Sequence, residues 1–310
     1  MSRPLERIPV FDHSNRPNAG RMPAWIRQRL GGDLAYGSTA RAVRDHALHT
    51  VCEEARCPNR AECWSAGTAT FMLLGDICTR ACGFCAVRTG RPQGLDRDEP
   101  QRIVEAVRGM GLRYVVLTSV NRDDLADGGA AIFADTLRGL RLHDPDIGLE
   151  ILAPDFQQCQ AEAVATVTDA MAGHTLVWGH NVETVPRLYG EVRKGSRYHR
   201  SLALLALAAR APATQAKSAL MLGLGETRDE VVAVLEDLRE AGVTRLSLGQ
   251  YLRPSRFHLP VREYIEPQVF EDYAVLAKTL GFTWVKAGPL VRSSYHAEDD
   301  YPLHKDASHA

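Results

Sequence analysis

The stretch FMLLGDICTRACGFCAV, residues 71–87, joins a short apolar run to a loop that holds three cysteines. The apolar run predicts a buried strand, and Cys78, Cys82 and Cys85 follow it with the spacing C-x3-C-x2-C. Small residues between the cysteines, Gly83 among them, let the loop wrap tightly around a bound group. Three thiolates can bind three irons of a four-iron cluster and leave the fourth iron open. A structural zinc site is the alternative, although such sites commonly use four protein ligands.

Five similar apolar runs follow, and amphipathic stretches of helical period separate them. Several of these stretches end in glycine, a common helix stop. Six strand–helix units in this order predict a parallel sheet covered by helices. We expect an α/β fold, a partial (β/α)6 TIM-like barrel, with a doubly wound open sheet as the alternative. The predicted strands are FMLLGD (71–76), RYVVLTS (113–119), GLEILAP (148–154), TLVWGHN (175–181), KSALMLGLGE (217–226) and RLSLGQYL (245–252).

The composition fits an ordinary globular protein, with 310 residues of which 45% are hydrophobic and 24% charged. The formal net charge is −1, so we expect no basic surface for nucleic acid or for an anionic membrane. No apolar run approaches the ~18 residues of a transmembrane helix, and the N-terminus lacks the apolar centre of a signal peptide. We therefore expect a cytoplasmic location, in which the seven cysteines stay reduced and can bind metal.

A second cysteine triplet lies upstream of the first predicted strand, in CEEARCPNRAECW (52–64). Cys52, Cys57 and Cys63 have the spacing C-x4-C-x5-C, which does not follow the helical intervals of three or four. Pro58 interrupts a helix, so a wrapping loop fits this stretch better. A zinc knuckle that lacks its last ligand is the alternative reading.

The first triplet, placed at the end of a barrel strand, resembles the signature of the radical S-adenosylmethionine superfamily. Over residues 50–297 the sequence closely resembles the lipoyl synthase family within that superfamily. It departs from the family pattern at Gly179, where asparagine is common, and at Ala219, where glycine is frequent. The similarity rests on the cysteine-bearing string 52–87 and on TSVNRDDLADGGA (118–130), GHNVET (179–184), MLGLGET (221–227), GQYLRPS (249–255) and RSSYHA (292–297).

The resemblance implies two 4Fe-4S clusters and S-adenosyl-L-methionine as cofactors. The cluster at Cys78, Cys82 and Cys85 would bind S-adenosylmethionine at its open iron and cleave it to a 5′-deoxyadenosyl radical. The second triplet would hold an auxiliary cluster whose fourth ligand is Ser293, and Arg292 beside it is a catalytic candidate. Serine is a poorer iron ligand than thiolate, which suits a cluster that gives up its sulfur.

The resemblance also implies the reaction, that of a sulfurtransferase. Two sulfur atoms of the auxiliary cluster are inserted at C6 and C8 of a protein-bound octanoyl-lysine to give the lipoyl cofactor. The implied partners are octanoylated carrier proteins, namely lipoyl domains of 2-oxoacid dehydrogenases or the glycine-cleavage H protein. An electron donor such as ferredoxin or flavodoxin is expected, and we expect a monomer.

Polar residues follow the predicted strands, and the carboxyl ends of strands carry the active site in a barrel of this kind. In view of the resemblance, we expect such residues to bind the nucleoside and the methionine part of S-adenosylmethionine. Each of them could alternatively be an ordinary loop or capping residue. The predicted contacts are Thr118, Ser119, Asn121, Arg122, Glu150, Asn181, Glu183, Gly223 and Glu226.

Three regions are expected along the chain. Residues 1–70 form an N-terminal extension with the auxiliary-cluster cysteines, 71–282 the barrel, and 283–310 a C-terminal extension with the RSSY motif and a tail. Two other functions stay open: a biotin-synthase-like or methylthiolating radical enzyme, and a non-catalytic iron–sulfur or zinc protein. The upstream triplet together with RSSY argues against the first, and six barrel units with polar strand ends argue against the second.

Overall fold

The strands follow the predicted alternation with helices. The computed structural model describes residues 22–27, 41, 43, 45, 46, 48–54, 57, 59 and 70–299. All six predicted strands are present. The strands in this part of the chain are β1 (His49–Thr50), β2 (Thr70–Leu73), β3 (Ile77–Cys78), β4 (Arg88–Thr89), β5 (Tyr114–Ser119), β6 (Gly148–Leu152), β7 (Leu176–Gly179), β8 (Thr214–Leu222), β9 (Arg245–Gln250) and β10 (Trp284–Gly288).

Within the described residues, six helices of ten to fourteen residues connect the parallel strands. One of them begins with a capping box, in which Thr227 and Glu230 each bind the backbone N–H of the other. None of the described helices is long and apolar enough to cross a membrane. The helices are α1 (Ala24–Arg27), α2 (Val51–Glu54), α3 (Glu99–Met110), α4 (Ala130–His143), α5 (Gln160–Asp169), α6 (Tyr189–Val192), α7 (Tyr198–Arg210), α8 (Arg228–Glu240) and α9 (Pro267–Thr279), with a 3-10 turn at Pro186–Leu188.

The main sheet has the sequential strand order β1-β2-β5-β6-β7-β8-β9-β10. Every pair from β2 to β10 is parallel, and β1 is antiparallel to β2 at the edge. A doubly wound sheet would reverse its order at a switch point, so that alternative is wrong and the partial barrel is confirmed. The strand β10 was not predicted. It adds a seventh parallel strand after the six units, within the expected C-terminal extension.

The interior of the barrel holds a buried charged cluster next to an open cavity. Lys217 on β8 forms a buried ion pair with Glu150 on β6, in which Nζ lies 2.7 and 2.9 Å from the two carboxylate oxygens. The hydroxyl of Tyr114 donates a hydrogen bond to Glu150 at 3.0 Å. Two residues further along β8, on the same face, Ala219 lines an open cavity. Tyr114, Glu150 and Lys217 thus form a charged floor beneath this cavity.

The chain after β10 crosses the side of the barrel that the strands leave open; we name residues 289–299 the closing segment. Thr70 of β2 donates a hydrogen bond to Ser294 Oγ at 3.0 Å. Lys286 of β10 forms an ion pair with Asp299 at 2.5 Å. Because β2 and β10 are the first and last parallel strands of the sheet, the closing segment bridges its two ends.

Candidate active site

The cysteine loop between β3 and β4 is fastened to the loops after β5 and β6. Arg80, which lies between Cys78 and Cys82, is buried and forms ion pairs with Asp123 and Asp155. Burial disfavours the charge of this guanidinium, but the two carboxylates dominate and raise the pKa of Arg80 above its ordinary value. The loop that carries the first triplet is therefore held in place by a buried ion-pair network.

The thiols of this loop have surroundings that suit bound iron. Cys78 Sγ accepts hydrogen bonds from the backbone N–H groups of Asn121 at 3.3 Å and Arg80 at 3.4 Å. Hydrogen bonds to sulfur are among the means by which proteins tune iron–sulfur clusters. Burial raises the pKa of Cys82 and raises that of Cys85 to about 12. Buried thiolates require a positively charged partner, and iron supplies one.

The spacing of the sulfurs argues against a single zinc ion at the first triplet. In a tetrahedral site with Zn–S bonds of ~2.3 Å, the sulfurs lie ~3.8 Å apart. Among the described residues, two sets of three potential ligand atoms lie within 4.8 Å of one another, and neither contains a cysteine. At least two of the three Sγ atoms are thus more than 4.8 Å apart, as a larger cluster requires.

One cavity of about 470 Å³ collects residues of both triplets at the carboxyl ends of the strands. Its volume lies within the range of small-molecule sites. Cys63 of the second triplet lies outside the described residues. The predicted site residues that line the cavity are Cys52, Cys57, Cys78, Cys82, Cys85, Thr118, Ser119, Asn121, Asn181, Glu183, Arg292 and Ser293.

The polar wall of the cavity contains buried atoms without a hydrogen-bond partner among the described residues. These are Ser119 Oγ, Asn181 Oδ1, Arg193 Nε and Ser247 Oγ. Glu183 lies in the same wall and accepts a hydrogen bond from Asn181 Nδ2 at 3.1 Å. Burial raises the pKa of Glu183, while Arg193 and Arg292 act in the opposite direction. Buried polar groups are rarely left unpaired, so this wall is suited to a polar, charged ligand.

A chain of hydrogen bonds behind the cavity holds Arg193, which was not predicted. Its Nη1 and the hydroxyl of Tyr189 donate to Ser201 Oγ at 3.2 and 3.0 Å. Ser201 Oγ lies 3.0 Å from His180 Nε2, and His180 Nδ1 lies 2.9 Å from the carbonyl oxygen of Ala153. Because a carbonyl only accepts, Nδ1 carries the proton and Nε2 accepts from Ser201. Burial lowers the pKa of His180 to about 4, which keeps this imidazole neutral.

Cys52 and Cys57 of the second triplet and part of the closing segment line the same cavity. Cys52 on α2 is buried, and its carbonyl accepts a hydrogen bond from the backbone N–H of Cys57 at 3.1 Å. Arg292 and Ser293 also belong to the cavity lining. Burial lowers the pKa of Arg292, and the influence of Cys57 opposes this shift. The fold thus brings Ser293 into one cavity with Cys52 and Cys57, which lie far from it in the sequence.

Four predicted cofactor contacts lie outside the cavity lining. Glu150 belongs to the charged floor, and Arg122 is buried with an ion pair to Asp124 at 2.8 Å. Glu226 accepts a hydrogen bond from the backbone N–H of Gly223 at 2.5 Å, and burial raises its pKa to about 7. These four residues have bonding partners within the protein, and their contact with S-adenosylmethionine stays a prediction.

Sequence comparison relates the chain to known proteins. Residues 72–238 match the family model of the Radical SAM superfamily. The lipoyl synthase of Rubrobacter xylanophilus is 50% identical over 298 residues, which cover 96% of this chain and 91% of that protein. The lipoyl synthase of Thioalkalivibrio sulfidiphilus is 52% identical over 296 residues, with coverage of 95% and 91%.

Solved structures that share the fold are more distant in sequence. Streptococcus suis SuiB bound to the precursor peptide SuiA has a TM-score of 0.54 at 11% identity over 81% of this chain, which spans about half of that structure (52%). Methylornithine synthase has a TM-score of 0.51 at 13% identity, with coverage of 90% of this chain and 87% of that one. These matches show the fold alone, whereas the sequence matches show the family. With cysteines of both triplets lining one barrel cavity, the chain belongs to the lipoyl synthase family of the radical S-adenosylmethionine superfamily.

Proposed function

We propose that this chain is a sulfurtransferase that inserts two sulfur atoms at C6 and C8 of a protein-bound octanoyl-lysine and thereby makes the lipoyl cofactor. The observation that carries the proposal is the shared cavity, which is lined by the first triplet and by Cys52, Cys57 and Ser293. A radical source and a sulfur donor must act on the same carbon chain, so both have to face one space. A cavity between the two ligand sets meets this requirement.

The first triplet would hold the 4Fe-4S cluster that binds S-adenosylmethionine. Cys78, Cys82 and Cys85 supply three thiolates and leave one iron open. When bound, this cluster supplies the electron that cleaves S-adenosylmethionine to a 5′-deoxyadenosyl radical. The chain holds the ligands in place through the ion pairs of Arg80 and packs Leu259 against Gly83.

The polar wall would bind the charged parts of S-adenosylmethionine. Burial disfavours a negative charge on Glu183, and a sulfonium or ammonium group of the ligand would stabilise it. Arg193 Nε, which has no partner among the described residues, suits a carboxylate. Ser119 and Asn181 offer a hydroxyl and an amide oxygen to the ribose or to the base.

The second triplet, with Ser293, would hold the auxiliary cluster. Two serines of the RSSY motif line the cavity, but Ser294 already accepts a hydrogen bond from Thr70. This leaves Ser293 as the candidate fourth ligand beside Cys52 and Cys57, with Cys63 as the third cysteine. The nearby guanidinium of Arg292 would favour the anionic form of a serine ligand.

The acyl chain and its carrier follow from the same cavity. Met72, Leu152 and Met221 line it and offer apolar surface to an eight-carbon chain. We propose octanoylated lipoyl domains of 2-oxoacid dehydrogenases and the glycine-cleavage H protein as carriers, and ferredoxin or flavodoxin as the electron donor. We propose that the reaction takes place in the cytoplasm and that the enzyme is a monomer.

The test is anaerobic incubation of the iron-loaded protein with S-adenosylmethionine, dithionite and an octanoyl-lysyl peptide. We expect roughly eight irons and eight labile sulfides per chain, formation of 5′-deoxyadenosine, and a peptide that gains two sulfur atoms by mass spectrometry. Stoichiometric zinc in place of iron would refute the radical chemistry. Formation of 5′-deoxyadenosine without sulfur gain would refute sulfur insertion alone.

Matched variants separate the two ligand sets. Cys57→Ala should keep formation of 5′-deoxyadenosine and abolish sulfur insertion, whereas Cys82→Ala should abolish both. Ser294→Ala serves as the control for Ser293→Ala, because the two serines are neighbours. If Ser294→Ala abolished sulfur insertion and Ser293→Ala did not, the assignment of the fourth ligand would be wrong.

A further inference from the structure

The loop after β9 forms part of the rim of the cavity; we name residues 252–262 the rim loop. Its first three residues, Leu252, Arg253 and Pro254, line the cavity. The loop leaves β9 at the carboxyl end of that strand, the end at which the cavity lies. A macromolecule that delivers a side chain into the cavity from this side would therefore meet the rim loop.

The rim loop carries positive charge without a compensating carboxylate. Its sequence LRPSRFHLPVR contains Arg253, Arg256 and Arg262 but no aspartate or glutamate. All three arginines are exposed, and none of them forms an ion pair with a residue that the structure describes. By contrast, Arg187 is neutralised by Glu230. In a chain with a net charge of −1, the rim loop is a local positive patch.

An exposed aromatic ring lies within this patch. Phe257 is 83% exposed, and the guanidinium carbon of Arg256 lies 4.9 Å from the centre of its ring. Aromatic and arginine side chains are enriched among the residues that dominate protein–protein binding. The pair therefore has the chemistry of an interface anchor rather than of a solvated loop tip.

The rim loop is hydrogen-bonded within itself and to the cysteine loop. Arg253 Nε donates to the carbonyl oxygen of His258 at 2.9 Å, and His258 Nε2 donates to that of Cys85 at 3.0 Å. The backbone N–H of Leu259 donates to the carbonyl oxygen of Gly83 at 3.0 Å. A preordered loop loses less conformational entropy when a partner binds. A partner bound here would also lie next to the loop that carries Cys82 and Cys85.

We propose that the rim loop is the docking surface for the carrier protein that presents the octanoyl-lysine. The inference rests on the proposed function, because a carrier domain, unlike a free fatty acid, needs a surface to dock on. The positive patch selects a carrier whose surface beside the acylated lysine is acidic, and Phe257 packs against an apolar residue of that surface. Complementary charge would both raise the association rate and orient the lysine toward the cavity.

The test compares two substrates with the anaerobic, iron-loaded enzyme: an octanoylated carrier protein and a short octanoyl-lysyl peptide. For Phe257→Ser and Arg256→Glu we expect kcat/KM with the carrier to fall by about 10-fold or more, and kcat/KM with the peptide to stay unchanged. Leu142→Ser is the matched control, because Leu142 is 87% exposed at the end of α4, away from the rim loop. This variant should process both substrates like the wild type.

Equal losses with carrier and peptide, or no loss with the carrier, would overturn the docking assignment. If the wild type modified neither substrate, the proposed function would fail instead, so the two failures are distinguishable. Added salt should lower kcat/KM of the wild type with the carrier more than that of Arg256→Glu, because salt screens exposed charges. Equal salt sensitivity of the two proteins would contradict selection by charge.

Discussion

Removing Lys217 from the charged floor should destabilise the protein in a pH-dependent way. Its ammonium lies 2.7 and 2.9 Å from the carboxylate oxygens of Glu150, and both side chains are at most 2% exposed. In Lys217→Met, Glu150 loses the ammonium group and keeps the hydrogen bond from the hydroxyl of Tyr114. An ionised carboxylate left there would cost several kcal/mol, so the carboxyl group should take up a proton instead.

The magnitude follows from the free energy of that protonation. A glutamate in the unfolded chain titrates near pH ~4.3, so protonation at pH 7 costs about 3.7 kcal/mol and at pH 5 about 1 kcal/mol. The folded variant holds the proton that the unfolded chain has released, so its stability falls as the pH rises. Relative to the wild type, the free energy of unfolding of Lys217→Met should fall by about 1.4 kcal/mol per pH unit between pH 5 and 7.

Anaerobic urea unfolding at pH 5, 6 and 7, followed by circular dichroism at equal iron content, measures this slope. The double variant Glu150→Gln/Lys217→Met keeps an acceptor for Tyr114 but has no ionisable group at the ion pair. Its pH profile should run parallel to that of the wild type. A flat difference between Lys217→Met and the wild type, or a loss below about 1 kcal/mol at pH 7, would refute the reasoning.

Three further predictions concern side chains around the cavity. Burial holds the pKa of His180 near 4, against 6.5 for an unperturbed histidine, so the unfolded chain takes up the proton first as the pH falls. The free energy of unfolding of the wild type should therefore fall by up to ~3 kcal/mol between pH 6.5 and 4. In urea titrations, His180→Gln should not show this fall. Identical pH profiles of the two proteins would contradict the prediction. Thr70→Val removes the hydrogen bond to Ser294 and should lower the free energy of unfolding by ~1 kcal/mol, whereas Thr70→Ser should match the wild type. A Cβ atom at Gly83 would lie 2.9 Å from Leu259, so Gly83→Val should displace the cysteine loop and halve the iron content from ~8 to ~4 per chain after anaerobic reconstitution. A full iron complement in that variant would show that the loop tolerates the branched side chain.

The six predicted strands could be recognised because burial between helices and the barrel interior leaves continuous apolar runs in the sequence. The strand β10 leaves a weaker mark, since four of its five residues are only partly buried. One of them, Lys286, pairs with Asp299 of the closing segment. Its place in the sheet depends on contacts with a distant part of the chain, which no local pattern records.

The first triplet could be recognised in the sequence because its three cysteines lie within eight consecutive residues. Arg193 and His180 belong to the site through burial and a chain of hydrogen bonds, which the sequence does not show. For His180, the sequence offers one indication, its place in the motif GHNVET (179–184). Glu150 was predicted to bind the cofactor as a polar residue on a strand. It lies in the middle of β6. The stagger of the strands brings it to the same height in the barrel as Lys217 on β8, and the sequence does not show this stagger.

Gly179, one of the two departures from the family pattern, has a physical reason in the folded chain. A Cβ atom at this position would lie 2.8 Å from the carbonyl oxygen of Ile151 on the neighbouring strand. Any larger residue here would require a shift of backbone, so glycine fits the local packing of β6 against β7. Nothing in the sequence around Gly179 could reveal this contact.

The closing segment also determines when the site can be completed during synthesis. Asn59 Nδ2 donates to the carbonyl oxygen of Leu290 at 2.7 Å, and Thr70 donates to Ser294 at 3.0 Å, across 231 and 224 residues of chain. On the ribosome, Cys52 and Cys57 emerge before Ser293 and must wait for all of the chain between them before Ser293 can reach them. The ligands of the first triplet, by contrast, emerge together. A chain cut before Pro289 would therefore keep all three cysteines of the first triplet and lose Ser293, the proposed fourth ligand of the auxiliary cluster.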